Sequence, residues 1–198
     1  MTDTPALARD VAEPDRRRQR ILAAARQVFE ERGLDGASMR VISQHAGCTT
    51  GAVYARFSGK EALYAEILAG SLDRLQQSLD RSLQEAGNHR GRVALQGFFR
   101  YYLEQPSELA LGLYLYQGLG PGGLTPELDQ QLNQAVLGIY QTITHALISD
   151  GVNEPETQAT AGVAQAIGLL IMHRTGRLKL LNADVGRQME AYLAMALP

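Results

Sequence analysis

Residues 38–57 read Ser-Met-Arg-Val-Ile-Ser-Gln-His-Ala-Gly-Cys-Thr-Thr-Gly-Ala-Val-Tyr-Ala-Arg-Phe. Ser38 is placed to N-cap a short helix that turns Met39, Ile42 and Ala46 inward, and Gly47 ends it with a left-handed residue. Thr49 caps a second short helix, about seven residues long, carrying Val53 and Tyr54. Two short helices joined by a tight glycine turn make a helix-turn-helix, whose second helix is narrow enough for a DNA major groove. Ala46 is small where the helices must cross. Thr49 and Thr50 bring hydroxyls and N–H groups to the start of the second helix, where phosphates and base edges are met. Gly51 and Ala52 keep that face flat, so the backbone can approach the groove.

Upstream, Ile21, Leu22, Ala25, Val28 and Phe29 form one stripe at the 3.6-residue period on a helix from Asp15 that Gly33 stops. Residues 1–14 hold two prolines and no periodicity, and are expected to form a disordered arm. Downstream, Ser58-Gly59-Lys60-Glu61 is a capping box. It opens a helix carrying Leu63, Ile67, Leu68, Leu72, Leu75, Leu79 and Leu83 to about Glu85. Further helices are expected over about 90–104, from Pro106 to the glycine loop at 118–123, and from the Thr125-Pro126-Glu127 start to the break at Asp150-Gly151. Asn153 to about Leu180 and Ala183 to Leu197 complete the set. No segment sustains an alternation of period two. The expected class is all-α, about nine helices without internal repeat: a helix-turn-helix domain over 15–62 and a second helical domain over 63–198.

The net charge of −2 hides an asymmetry. Residues 16–60 carry +6, residues 61–198 carry −5, and the first fifteen carry −3. A basic module joined to an acidic one fits a polyanion bound at one end, although a solvated charged surface reads the same way. Lys60 adds an independent point, being one of only two lysines against seventeen arginines. A cation in a helix's first turn opposes the helix dipole at about 0.3–1 kcal/mol, and a phosphate lying over that end reverses the sign.

Residues 17–63 resemble the DNA-binding domain of the tetracycline-repressor (TetR) family of transcriptional regulators. The matching features are Arg20-Ile21-Leu22 with Ala24-Ala25, Phe29, Gly33, Ser38, Ile42, Ala46-Gly47, Thr50-Gly51, Val53-Tyr54, Phe57 and Lys60-Glu61-Ala62-Leu63. The resemblance covers about a quarter of the chain. It implies an Ω-shaped homodimer whose C-terminal domain binds a small molecule, and operator contacts, mostly to phosphates, from Ser38, Arg40, Thr49, Thr50, Gly51, Tyr54 and Lys60. Ala52 faces the same groove. Arg56 falls where the family varies and is kept as a phosphate or base contact. Ser43 and Cys48 depart from the family's usual Ala and Val, which bears on packing.

Beyond residue 63 only composition speaks. Phe98, Phe99, Tyr101, Tyr102, Tyr114, Tyr116 and Tyr140 put seven of twelve aromatic residues into 43 positions. Tyrosines pair a large apolar face with a hydroxyl that needs a partner; each alone reads more readily as core, but as a group they suit a pocket for an aromatic or amphipathic ligand. His145 and Met172 lie on helices expected to border the same cavity. Ala159, Gly162, Val163, Ala166, Ile167 and Leu170 form a stripe of small and branched residues. Val185, Met189, Tyr192, Leu193 and Ala196 form another. Two such helices from each subunit would make a four-helix dimer bundle, the alternative being intramolecular core.

Other classes lack their residues. The glycine loop has no following Lys-Ser/Thr, so it is no phosphate-binding loop. The histidines at 45, 89, 145 and 173 show no metal spacing. No catalytic residue, cofactor or metal is therefore expected. A thiol sensor at Cys48 would need an exposed thiol of lowered pKa and remains an alternative, as does a ligand-dependent activator. With no signal peptide and no apolar run of about 20 residues, the chain is expected to be soluble, cytoplasmic and off the membrane. The expected function is a repressor whose homodimer binds a palindromic double-stranded operator and is released by a small-molecule effector.

Overall fold

Side-chain oxygens start four of the helices. Ser38, in extended backbone, accepts from the Val41 amide at 3.3 Å, and Thr49 does the same for Ala52 at 3.2 Å. Asp184 accepts from the Arg187 amide at 2.9 Å, and Thr125 from Leu128 at 3.4 Å. Each meets an N–H that a helix's first turn cannot pair internally. In the computed structural model, which describes residues 5–114 and 124–197 (backbone alone for 5–14 and 114), these starts belong to an all-helical chain. The helices are α1 (Pro5–Gly36), α2 (Met39–His45), α3 (Thr50–Tyr54), α4 (Lys60–Glu85), α5 (Arg90–Glu104), α6 (Pro106–Tyr114), α7 (Pro126–Ser149), α8 (Pro155–Arg174), α9 (Arg177–Leu180) and α10 (Val185–Ala196). The described residues include no strand.

Three boundaries correct the sequence reading. The arm expected to be disordered is helical over 5–14, where Ala6, Leu7, Ala8 and Arg9 are strong helix formers and Pro5 sits at the first position. The helix expected from Asn153 to Leu180 is two, because Gly176 takes a left-handed φ of 73° behind Thr175. Ten described helices replace the expected nine. The third correction is at α4, which starts at Lys60: Gly59 rather than Ser58 accepts the first intrahelical bond, from Leu63 at 3.3 Å. Gly33 stops the first helix as read, with φ 69° inside the span labelled α1.

The chain divides into two compact units. The first comprises Met1–Ala69 and Ala110–Leu132. Within it α1 packs on α2 and α2 on α3, and Ile21, Ala25, Val28, Ile42, Val53, Leu63 and Tyr64 are almost wholly buried. Burying such an aliphatic side chain contributes roughly 1.5–3 kcal/mol. Tyr64 meets Phe29 edge-on at 5.4 Å, and its hydroxyl donates to the Leu111 carbonyl. Arg18 pairs with Glu66 at 2.6 Å and lies 4.7 Å over the Phe57 ring, so the +6 segment places part of its charge in its own packing.

The second unit comprises Gly70–Leu109 and Asn133–Pro198. Here α5 packs on α8 and α10. The fit is close: a Cβ on Gly162 would lie 2.6 Å from the Leu95 methyls, and one on Gly91 would lie 2.4 Å from a Leu147 methyl. This corrects the dimer reading of that stripe. Ala159, Gly162, Val163, Ala166 and Leu170 are buried inside one chain, as are Met189 and Leu193, while Ile167 and Tyr192 are half-buried. Small residues bring α8 onto α5, not onto a partner.

Asp150, read as a helix breaker, has a second task. Its carboxylate accepts from the Arg90 amide at 3.0 Å and the Gly91 amide at 2.7 Å, filling the start of α5 where His89 offers no cap. Asp150→Ala is expected to cost about 1 kcal/mol, read as a lower urea midpoint with unchanged slope. An unchanged midpoint would show that water serves those amides equally well.

Candidate nucleic-acid interface and effector pocket

The turn between α2 and α3 is built as its residues dictate. Gly47 takes φ 64°, and the Cys48 amide donates to the Ser43 carbonyl at 3.0 Å. Val53 anchors α3 with no exposure. Ser43, a departure from the usual alanine, is buried and useful: its hydroxyl donates to the Arg40 carbonyl at 2.8 Å and lies 3.0 Å from the Thr50 hydroxyl. With its single proton on Arg40, Ser43 accepts from Thr50, and this bond ties the two helices together. Cys48 is a free, half-buried thiol.

That leaves a defined outer face. Ser38, Arg40, Thr49 and Gly51 are exposed, Tyr54 is 55% exposed, and Thr50, Ala52, Arg56 and Lys60 are half-buried. Ser38 and Thr49 use an oxygen lone pair as caps, and each keeps its hydroxyl proton to donate. Thr50 differs, because its proton is directed at Ser43. A side chain at Gly51 would meet nothing within 4 Å. Arg56 donates to the Ala52 carbonyl at 3.2 Å, holding its guanidinium back along α3. Lys60 donates to the Leu34 carbonyl at 2.8 Å, a bond across 26 residues that the sequence did not reveal. It uses one of three ammonium protons, and the charge stays beside the α4 start.

Of the residues proposed for an effector, Phe98, Tyr101 and Tyr102 come together. Phe98 and Tyr102 stack edge-on at 5.1 Å, and Tyr101 and Tyr102 at 5.3 Å. Tyr101 donates to the buried Glu108 carboxylate, which also receives Ser71 at 2.8 Å and Arg74 at 2.7 Å. Burial first, then Glu108, pushes the Tyr101 phenol up to about 12; burial likewise raises Tyr102 and Tyr140. Tyr140 and Met172 are half-buried and His145 is exposed on α7; none of the three lines either hollow described below. The Tyr114 side chain, Tyr116 and the glycine loop lie outside the described residues.

Among the described residues of this second unit, two hollows bear on a ligand. A cleft of about 820 Å³ is lined by the turn before α5 and its first residues, the turn between α7 and α8, and the end of α10. Its charged groups are already engaged, Asp150 on α5 and Arg92 on Glu190 at 2.5 Å. A cavity of about 340 Å³ is walled by Tyr102, Leu103, Pro106 and Leu170, with His173, Arg174 and Lys179 beside them. Only Tyr102 of these was expected in a pocket. Among the described residues no cluster of His, Cys, Asp or Glu could hold a metal, and no helix is long and apolar enough to cross a membrane.

Known proteins match this arrangement. The family model for "Bacterial regulatory proteins, tetR family" matches residues 21–67, the segment that holds the helix-turn-helix. SrpR of Pseudomonas putida, an HTH-type transcriptional regulator, is 31% identical over 138 residues, 69% of this chain and 63% of SrpR. TtgW of Pseudomonas putida, an uncharacterized HTH-type transcriptional regulator, is 32% identical over 114 residues, 57% of this chain and 83% of TtgW. Two further curated relatives are matched over only 41% and 35% of their length, so the chain spans less than two thirds of these two and of SrpR. The FadR transcriptional regulator of Bacillus subtilis, solved in complex with stearoyl-CoA, shares the fold. Its TM-score is 0.70 at 16% identity, over 90% of this chain and 97% of FadR. The chain belongs to the tetR family of bacterial regulatory proteins, helix-turn-helix transcriptional regulators rather than enzymes.

Proposed function

We propose that this chain is a repressor whose homodimer binds a palindromic operator through α3 and is released by a small amphipathic ligand. The observation that carries this reading is the face of α3. Thr49, Gly51 and Tyr54 are exposed on a short helix braced from behind by Val53 and by the Ser43–Thr50 bond. Residues 15–62 are the DNA-binding domain and 63–198 the effector and dimer domain. A single recognition helix gives little affinity, and operator palindromes mirror protein two-fold symmetry. With the inner stripe of α8 buried, the dimer face is its outer side, Ala161, Ala164, Gly168 and Ile171, together with Ala191, Ala194 and Met195 of α10, all exposed. Met195, 77% exposed, has reason to seek cover. The stearoyl-CoA bound to FadR supports an effector with an apolar body. Ligand held by the second domain favours a geometry unsuited to two half-sites, and a coupling of about 1–3 kcal/mol weakens operator binding roughly 5–150-fold.

Salt dependence tests the contact roles. Lys60→Ala is expected to weaken binding to every operator alike and to flatten the slope of log K against log salt by about 0.9, one phosphate's worth of released counterion. Tyr54→Phe removes a neutral donor, so binding should weaken with the slope unchanged. If either variant alters sequence preference, the phosphate assignment is wrong.

A further inference from the structure

We infer that the cavity among α5, α6, α8 and α9 takes a small amphiphile with an anionic head. Its apolar body would lie against Tyr102, Pro106 and Leu170, and its head would meet His173, Arg174 and Lys179. The inference rests on the reading of the second domain as an effector domain, and adds the charge of the ligand.

Three observations converge. First, residues 61–198 are acidic overall, yet the cavity wall holds His173, Arg174 and Lys179 and no carboxylate. Arg174 and Lys179 have no ion-pair partner among the described residues. The helix dipole accounts for His173 and Arg174 in the last turn of α8. Lys179, one of two lysines in the chain, stands likewise in the last turn of its helix, but α9 has four residues and so few aligned peptide dipoles to offset. Second, Tyr102 is 7% exposed and lines the cavity, but its hydroxyl has no hydrogen-bond partner among the described residues, unlike its neighbour Tyr101. The ring is buried but the oxygen is not, so the hydroxyl is free to donate into the cavity. An acceptor on the ligand would meet it, and a purely apolar ligand would not. Third, the rest of the lining is Tyr102, Leu103, Pro106 and Leu170, and about 340 Å³ is at the small end of the range for ligand sites. That size suits a medium-chain or single-ring acid rather than a polycyclic one.

Calorimetric titration of the full chain with decanoate and with decanol tests this, alongside Arg174→Ala/Lys179→Ala, whose altered side chains are exposed. Decanoate should saturate at one per chain and bind at least tenfold more tightly than decanol. The double variant should lose that discrimination with decanol binding unchanged, and Tyr102→Phe should weaken decanoate three- to tenfold. Equal affinities, uptake of many molecules per chain, no saturable heat, or discrimination surviving in the double variant would each overturn the inference. Operator release is measured separately. Decanoate bound at this site without release leaves the pocket standing and contradicts the release mechanism. Release by a neutral compound, with no decanoate bound, contradicts the anionic pocket alone.

Discussion

Gly51→Glu is expected to abolish operator binding, by more than about 100-fold, while leaving the fold intact. Gly51 is exposed at the start of α3, and an added side chain would meet no atom within 4 Å. Replacing glycine inside a helix stabilises by about 0.5–1 kcal/mol, so the variant should unfold no earlier than the parent. On DNA the same side chain would hold the backbone out of the groove and bring a carboxylate against phosphates. Like charges so placed cost several kcal/mol, and each 1.4 kcal/mol is about tenfold. Gly51→Ala, carrying bulk without charge, should lose far less. Fluorescence anisotropy on a labelled operator separates the three proteins, and circular dichroism checks the fold. A Gly51→Glu protein that still binds would mean α3 is not the helix in the groove.

The second large effect is on stability. Glu108 is 3% exposed and holds Ser71, Arg74 and Tyr101 together. Glu108→Ala removes the acceptor of the Ser71 hydroxyl, leaves Tyr101 a long 3.5 Å bond to the Ser71 carbonyl and leaves Arg74 without its carboxylate. Breaking a buried pair from one side costs about 3–5 kcal/mol. The Arg74 side chain is 47% exposed and water replaces part of its loss, so the low end applies, about 3 kcal/mol. Thermal unfolding should fall by roughly 10 °C. The tyrosines add a pH signature. Tyr101 titrates at about 12 when folded against 10.0 when free, so the folded chain holds this proton more tightly. Its contribution is complete below pH 10 and is lost as pH rises through 12. Urea unfolding between pH 9 and 12 should show that decline, and Glu108→Ala should make it shallower without removing it, because burial is the larger cause at Tyr101 and raises Tyr102 as well. A parent midpoint constant across this range would remove the network from the account.

The residues that could be read from sequence are those whose task is local. Ser38, Gly47 and Thr49 act on atoms within three residues of themselves, and the helix-turn-helix followed from them. Longer reach was illegible. Lys60 was expected to serve only a phosphate, yet it holds the Leu34 carbonyl, and Asp150 caps a helix that begins sixty positions before it. Ser43 looked like a packing detail until Thr50 lay beside it. The stripe from Ala159 to Leu170 fits close helix contact, but spacing alone does not say whether the facing helix is in the same chain, and here it is α5. The cations beside Tyr102 come from two helices separated by the left-handed Gly176, which the periodicity passed over as one continuous helix.

The central claim, a dimer that reads a palindrome through α3, is tested most directly by selecting a random duplex library on the purified, ligand-free protein and sequencing what it retains. The account predicts an enriched palindrome with half-sites about one helical turn apart or a multiple of it, lost in Gly51→Glu. A folded, dimeric protein that enriches no sequence, or the same sequence with Gly51→Glu in place, would contradict it.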